Sequence, residues 1–341
     1  VKTAILILKR LAWSVFVIFG LSVLIFTVAR VIPGDPATMA LGPRATKEAL
    51  ETLRVEMHLN EPLPVQYGLW LKDALQGDLG QSTQTKRAVT EDLSEFLPAT
   101  LELVILAAIL EIIIGILLGA LSARHAGTGF DNGVRIVSYL GIATPSFVWG
   151  IIFMLLFGFL WPILPIMGRL DAGIYPPVAA TGFMTIDSLI AGNFSAFWDA
   201  FKHLIMPATA LSLAGIAQAA RITRSSMFEN LGKDYVGSEI ASGVPVRRVI
   251  MRYVLRPSAT PTVSIIALDI ASMLGNAFLV ELIFNYPGLS RYGVNAILNK
   301  DLNAIVAVVL VIGLTFAIVN ILVDIITAFL DPRIRLQGGG K

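Results

Sequence analysis

Between Arg221 and Pro261 the chain reads RITRSSMFENLGKDYVGSEIASGVPVRRVIMRYVLRPSATP. Seven cations (Arg221, Arg224, Lys233, Arg247, Arg248, Arg252 and Arg256) stand there against three anions (Glu229, Asp234 and Glu239). The stretch lies between two long apolar runs, so it reads as a basic connection between buried segments. Membrane proteins keep such loops in the cytoplasm, because short loops rich in Lys and Arg are retained on that side during insertion. The fold class follows: all-α, a polytopic membrane helical bundle with this loop inside.

Composition agrees. Of 341 residues 55% are hydrophobic and only 15% charged, with a mean hydropathy of +0.75; soluble domains carry about 25% charged residues. At ~20 apolar residues per crossing there is room for about six transmembrane helices and one modest extramembrane region. Cysteine is absent, which excludes disulfides, thiolate metal sites and cysteine nucleophiles. Lys2, Lys9 and Arg10 precede an apolar run longer than a signal-peptide core and without a small-residue cleavage pattern. A retained first helix with a cytoplasmic N-terminus is the expectation.

Upstream, span 1 runs from about Leu11 to Val31, and IPGDP (Ile32 to Pro36) ends it because proline cannot continue the helical ladder. Residues 32–98 carry six Lys/Arg and ten Asp/Glu, which suits a small extracytoplasmic subdomain between helices 1 and 2. Within it, Thr46 to Met57 is predicted as a short amphipathic helix capped by Thr46, and Gln66 to Leu75 as another. Span 2, about Ala99 to Leu121, holds Glu102 near its outer end and Glu111 near its middle. An inner turn with Arg124, His125, Asp131 and Arg135 leads to span 3, about Ile136 to Trp161, where Pro145 predicts a kink near Thr144.

A second outer segment, Pro162 to His203, includes an interfacial candidate at Phe183 to Ile190. Span 4 (about Leu204 to Ile222) enters the basic loop and span 5 (about Thr262 to Phe284) leaves it. A short outer loop, NYPGLSRYGVNAILNKD, precedes span 6 (about Ala304 to Leu330), with Asp324 near its inner end and Arg333, Arg335 and Lys341 beyond. The expected division is a cytoplasmic N-terminus with helix 1 (1–31), the outer subdomain (32–98), a transmembrane core (99–330) and a cytoplasmic tail (331–341).

Catalytic signatures are missing: no phosphate loop, no His-Glu-x-x-His zinc helix and no Gly-x-Ser-x-Gly elbow. His58, His125 and His203 fall in three segments on opposite sides of the expected membrane, which argues against a metal site built from them. No enzymatic activity, resident cofactor, metal or nucleic-acid partner is expected of the chain itself. The intramembrane polar groups are sharper candidates, because a carboxylate in hydrocarbon costs about 2.5 kcal/mol or more. Asp269, Asn276 and Glu281 are candidates to line a pathway, with interhelical packing as the alternative; Glu111 and Asp324 read as structural.

The basic loop holds more than charge. Asn230 to Ile240 is compatible with a short helix, Gly243 and Pro245 turn the chain, and Val246 to Leu255 is compatible with a second helix. Such a bracket between spans is a handle for a nucleotide-hydrolysing partner, since nothing else in the chain supplies energy. The plainer alternative is an orientation signal resting on anionic membrane lipid.

The ordered motifs IPGDP, PATLELVILA (98–107), ATPSFVWGI (143–151), LPIMGR (164–169), HLIMPATALSL (203–213), ARITRSSMFENLGKDYV (220–236), VELIFNYPGLSRYGVNAILNKD (280–301) and DPRIR (331–335) span nearly the whole chain. Together they resemble the permease subunits of binding-protein-dependent ABC importers, in the first-permease type of the dipeptide, oligopeptide and nickel group. The resemblance implies a coupling loop, residues 223–258, whose short helix docks on an ATPase, with Asp234, Tyr235, Glu239, Ala241 and Gly243 at or near the contact. SEIASG departs from the family's usual small and basic residues before the glycine.

It also implies the partners: a second, related permease, two ABC ATPase subunits that hold ATP and magnesium, and an extracytoplasmic solute-binding protein, all at a bacterial inner membrane. Peptides lead the implied substrates, ahead of nickel complexes and glutathione-like thiols. Two rivals stand beside this reading. An ion-coupled secondary transporter would use the membrane acids directly, and a membrane-anchored receptor would work through residues 32–98.

Overall fold

Helix formation dominates because every backbone polar group in an apolar segment must bond within that segment. A computed structural model describes residues 2–31, 36–42, 45–56 and 58–330; IPGDP (but for its last proline), Met57, DPRIR and the tail 331–341 lie outside the described residues. The elements, in chain order, are α1 (Lys2–Val31), α2 (Pro36–Leu41), α3 (Lys47–Glu56), α4 (Leu63–Leu75), α5 (Val89–Arg124), α6 (Gly129–Ala143), α7 (Ser146–Leu160), α8 (Met184–Ile190), α9 (Phe194–Leu231), α10 (Asp234–Ala241), α11 (Val246–Ile283), α12 (Leu289–Leu298) and α13 (Leu302–Leu330). No strand occurs among the described residues.

By length and apolarity, α5, α9, α11 and α13 can each cross a membrane. The pair α6 and α7, bent by 111° at Thr144 and Pro145, makes a fifth if it counts as one span. In α1 the apolar stretch is the shorter Ala12–Val28. The expected break is present for the expected reason: Thr144 is extended (φ −102°, ψ 126°), as a residue before proline prefers.

The helices form two units, one built around Leu101–Tyr286 and the other from Leu8–Thr100 with Pro287–Ala317. In the first, α9 is the central element. Asn193 starts it by accepting a bond from the Ala196 amide at 3.1 Å, and half of its buried residues are Ala, Ser or Gly. Small residues let helices approach closely, which substitutes for a hydrophobic drive that lipid cannot supply. Gly119 of α5 sits so near α9 that a Cβ there would lie 2.6 Å from the Ala220 carbonyl oxygen.

In the second unit, α4 packs on α1 through Phe26, Tyr67 and Trp70, with ring centroids 5.4–5.9 Å apart. The Tyr67 hydroxyl meets Ser22 Oγ at 2.8 Å. Thr46 caps α3 as its sequence predicts, accepting from the Ala49 amide at 3.2 Å. The Ser82 hydroxyl donates to Asp301 (2.6 Å), which in turn accepts from the Ala304 amide at the start of α13 (3.2 Å).

Several boundaries differ from the sequence reading: α9 starts at Phe194, inside the outer segment assigned to Pro162–His203, and runs on to Leu231, and three others stand beside it. Helix α5 begins at Val89, inside the stretch assigned to the outer subdomain. The loop after span 5 contains the ten-residue helix α12. The third concerns the basic stretch: its first short helix starts at Asp234 rather than Asn230, and its second is the opening of α11, which continues to Ile283.

Candidate functional site

The basic stretch folds as a bracket. Helix α9 carries Arg221 and Arg224 and ends at Gly232; Lys233 is extended, and α10 then starts with Asp234 in its first turn, where an anion favours the helix N-terminus. At its other end α10 closes as a Schellman motif. Gly243 has φ +80°, its amide donates to Ile240 O at 3.0 Å, and the Val244 amide donates to Glu239 O at 3.1 Å. Only glycine takes this left-handed position without strain.

One face of α10 is anchored. Val236 is buried with Ala123 of α5, Met227 of α9 and Val249 and Val254 of α11, and Val244 packs on the same cluster. The other face is open: Asp234, Tyr235, Ile240, Ala241 and Gly243 are exposed, and Glu239 is half-buried. The sequence-derived docking residues are therefore gathered on and beside one short helix, at its exposed side.

Polar ties hold the two arms. Asn230 Nδ2 donates to Ser258 Oγ (2.9 Å), and the Thr223 and Thr262 hydroxyls meet at 3.0 Å in the interior. Pro257 has no N–H to return to the carbonyl of Tyr253 four residues earlier. The Tyr235 hydroxyl reaches that carbonyl at 3.3 Å and Asn230 Oδ1 at 3.2 Å. A π-helical turn, Val249–Leu255, precedes the proline and lets α11 run on through Pro257 and Pro261.

Arg224, one of the seven cations counted in the loop, is paired. It binds Asp131 through two bonds of 2.5 and 2.7 Å, and Asp131 also accepts from Ser122 Oγ (2.6 Å) and the Gly127 amide (3.0 Å). The basic excess of the bracket is smaller than the sequence count by that one charge.

The pathway candidates are distributed differently. Asp269 is half-buried on α11, Asn276 is exposed two turns on, and Glu281 is completely enclosed. Asp269 faces Glu111 of α5 within hydrogen-bonding reach; Glu111 sits in the π-helical turn Glu111–Gly115, its carboxylate oxygens buried and with no other partner among the described residues. Oδ2 of Asp269 is also buried, with no partner among the described residues beyond that facing carboxyl. Space for Glu111 exists because residue 215 is glycine: a Cβ there would lie 2.5 Å from Glu111 Cδ. The Glu111 and Asp269 pair was not visible from the sequence, since 158 positions separate the two.

A second polar assembly surrounds Glu102 of α5, about two and a half turns before Glu111. Glu102 is buried and accepts from Arg169 (2.5 Å), the Thr185 amide (2.7 Å) and hydroxyl (2.5 Å) and the Met184 amide (3.2 Å). Arg169 lies over the Tyr286 ring at 5.7 Å. Asp187 accepts from the Thr181 amide and hydroxyl and the Gly182 amide at 2.7–2.9 Å. Burial opposes ionisation of Asp187, but these bonds outweigh it and hold the carboxyl below the usual aspartate range.

Asp171, Asp199 and His203 bring one potential metal-ligand atom each within 4.8 Å of one another. His203 Nδ1 donates to Asp199 O at 2.9 Å, which leaves Nε2 facing Asp171 at 3.6 Å. The sequence search for metal ligands, confined to the histidines, did not join these three.

Fold and site together define an all-helical membrane chain with several candidate spans and an anchored, outward-presented short helix between two of them. Residues 115–336 match the family described as binding-protein-dependent transport system inner membrane component, and residues 4–104 match its N-terminal membrane component. The chain belongs to this family of transport-system membrane components. A probable D,D-dipeptide transport system permease protein of Escherichia coli K12 is 38% identical, over 98% of both chains. Dipeptide transport system permease proteins of Alkalihalophilus pseudofirmus (36%) and E. coli K12 (35%) align over 96% of this chain and 98% of theirs.

Proposed function

We propose that the chain is a permease subunit of an ATP-driven importer for short peptides in a bacterial cytoplasmic membrane. The observation that carries this is the bracket: α10 is fixed on one side by Val236 and open on the other, the form a docking element needs. Full-length likeness to dipeptide permeases supports the substrate class. In this reading the chain makes six crossings with both termini inside, α1 and the α6–α7 pair being two of them. Residues 32–98 face outward toward a solute-binding protein, and a second related permease completes the pathway.

Two ATPase subunits hold ATP and magnesium and grip residues 223–258 through Asp234, Tyr235, Glu239, Ala241 and Gly243. Their closure pulls α10, and the rigid ties through Asn230, Ser258, Thr223 and Thr262 pass that displacement into α9 and α11. The ligand-dependent step is a population shift, so ATPase contacts with α10 must differ between the two states.

Reconstitution of the chain with its second permease, ATPases and binding protein in vesicles tests the reading. Dipeptide uptake that requires ATP and the binding protein is the expected result. Uptake that persists without the ATPases and collapses with an ion gradient would overturn it in favour of a secondary transporter using Glu111 and Asp269.

A further inference from the structure

Helices α6 and α9 border a part-open cavity of about 180 Å³ beside the bracket, lined by Arg135, Ser138, Tyr139, Arg221, Arg224 and Ser225 among others. Arg224 is neutralised by Asp131. Arg135 and Arg221 are exposed and have no anionic partner among the described residues, so the cavity carries two uncompensated guanidinium groups. Hydroxyls of Ser138, Tyr139 and Ser225 add neutral donors. Next to it, α6 presents Ile136, Val137 and Leu140 outward, each more than half exposed. A cationic, hydroxyl-lined hollow bordered by an apolar strip has two chemistries within one ligand's reach: an anionic head and a hydrocarbon tail.

We infer that this cavity binds the phosphate headgroup of an anionic phospholipid, whose acyl chains lie along Ile136, Val137 and Leu140. The leaflet rests on the proposed topology, in which Arg135 and Arg221 stand at the inner boundary of spans 3 and 4; that surface is where anionic lipids attract basic side chains. Guanidinium groups suit the task because they offer paired N–H donors to phosphate oxygens. The acyl contacts separate a lipid from free phosphate, which would meet the arginines alone.

The test is native mass spectrometry of the complex isolated from membranes in mild detergent, then titrated with phosphatidylglycerol or phosphatidylcholine. The wild-type complex is expected to retain phosphatidylglycerol in preference, and R135Q/R221Q to weaken that retention roughly thirtyfold, at about tenfold per 1.4 kcal/mol and ~1 kcal/mol per basic side chain. R135K/R221K is expected to recover most of it. Equal retention of the two lipids by the wild type, which needs no variant to fold, would overturn the inference; so would unchanged retention in R135Q/R221Q.

Displacement of the lipid by millimolar inorganic phosphate would assign the cavity to free phosphate instead. A photoreactive side chain at position 139 should cross-link to lipid; cross-linking to a protein subunit would mean that a partner covers this face. ATP-driven dipeptide uptake is measured separately on the same wild-type preparation. Its failure would remove the importer reading while leaving selective lipid retention standing.

Discussion

The hydroxyl of Tyr235 lies 3.3 Å from the carbonyl of Tyr253, the acceptor that Pro257 deprives of its helical donor. Tyr235 thus has two faces: its ring is on the open side of α10, and its oxygen ties α10 to α11. Tyr235→Phe keeps the ring and removes the tie. A single neutral hydrogen bond contributes about 1 kcal/mol, and a partly exposed one contributes less, so the melting temperature of the complex should fall only slightly. Peptide transported per ATP hydrolysed should fall further, because the displaced α10 is less firmly joined to α11. Equal coupling ratios in reconstituted vesicles would remove Tyr235 from the transmission route.

Gly243 separates conformation from contact. Nothing lies within 4 Å of a Cβ added there, yet its φ is +80°. Gly243→Ala should therefore cost about 1 kcal/mol through backbone strain alone. Gly243→Pro should cost more, since proline is fixed near φ −65° and removes the amide that bonds Ile240 O. Both should insert normally, and the proline variant should lose most ATP-driven uptake, as should charge reversal at Glu239. Full coupling in Gly243→Pro would sink the docking assignment.

Asp131 and Arg224 provide a stability test near the same loop. Asp131 is 1% exposed and the Arg224 side chain 23%. Breaking a fully buried pair costs roughly 3–5 kcal/mol; the residual exposure of Arg224 reduces this to about 2 kcal/mol for Asp131→Asn. Arg224→Lys should also destabilise, because an ammonium cannot reproduce the two parallel bonds. Thermal unfolding of the purified complex measures both, and a shift indistinguishable from wild type in Asp131→Asn would show that the pair is dispensable.

How far the sequence reached can be judged on this bracket. Gly243 as a helix stop and Pro145 as a break were readable because each acts on its own backbone, and Thr46 as a cap was readable because its partner is three residues away. The run of α11 through Pro257 was not, since it depends on a π-helical turn and on a donor from Tyr235. The pairing of Arg224 with Asp131, and of Glu102 with Arg169, spans 93 and 67 positions; a charge count cannot distinguish such a bonded cation from a free one. Asn230, Ser258, Thr223 and Thr262 escaped notice because small polar residues become ties only when two helices pack.

Asp187 predicts a pH dependence. Its carboxyl is held below the usual aspartate range in the fold, whereas the unfolded chain titrates at about 3.9. The unfolded state thus takes up the proton first, so this contribution is complete above about pH 4 and is lost as pH falls through the lower folded value. Hydrogen-exchange protection of the Thr181 and Gly182 amides, referenced to intrinsic rates, should drop on acidification below pH 4. Asp187→Asn should have low protection at pH 6 already; protection equal to wild type there would show that the loop is held by other contacts.

Asp269 and Glu111 set the last test. Two carboxyl groups face each other between α5 and α11, and three of their four oxygens are buried with no partner among the described residues other than the facing carboxyl. Buried polar atoms left unmet cost about 1–3 kcal/mol each, so a merely packed interface would be expected to replace them with apolar side chains. Asp269→Asn conserves shape and removes one acid. If the pair shapes the pathway, the variant should change dipeptide uptake rate or substrate range while the complex stays assembled, and Gly215→Ala should do the same by driving a methyl group against Glu111. If Asp269→Asn transports at the wild-type rate with the wild-type range, the residue is a packing element and the pathway must be sought elsewhere, starting with the exposed Asn276.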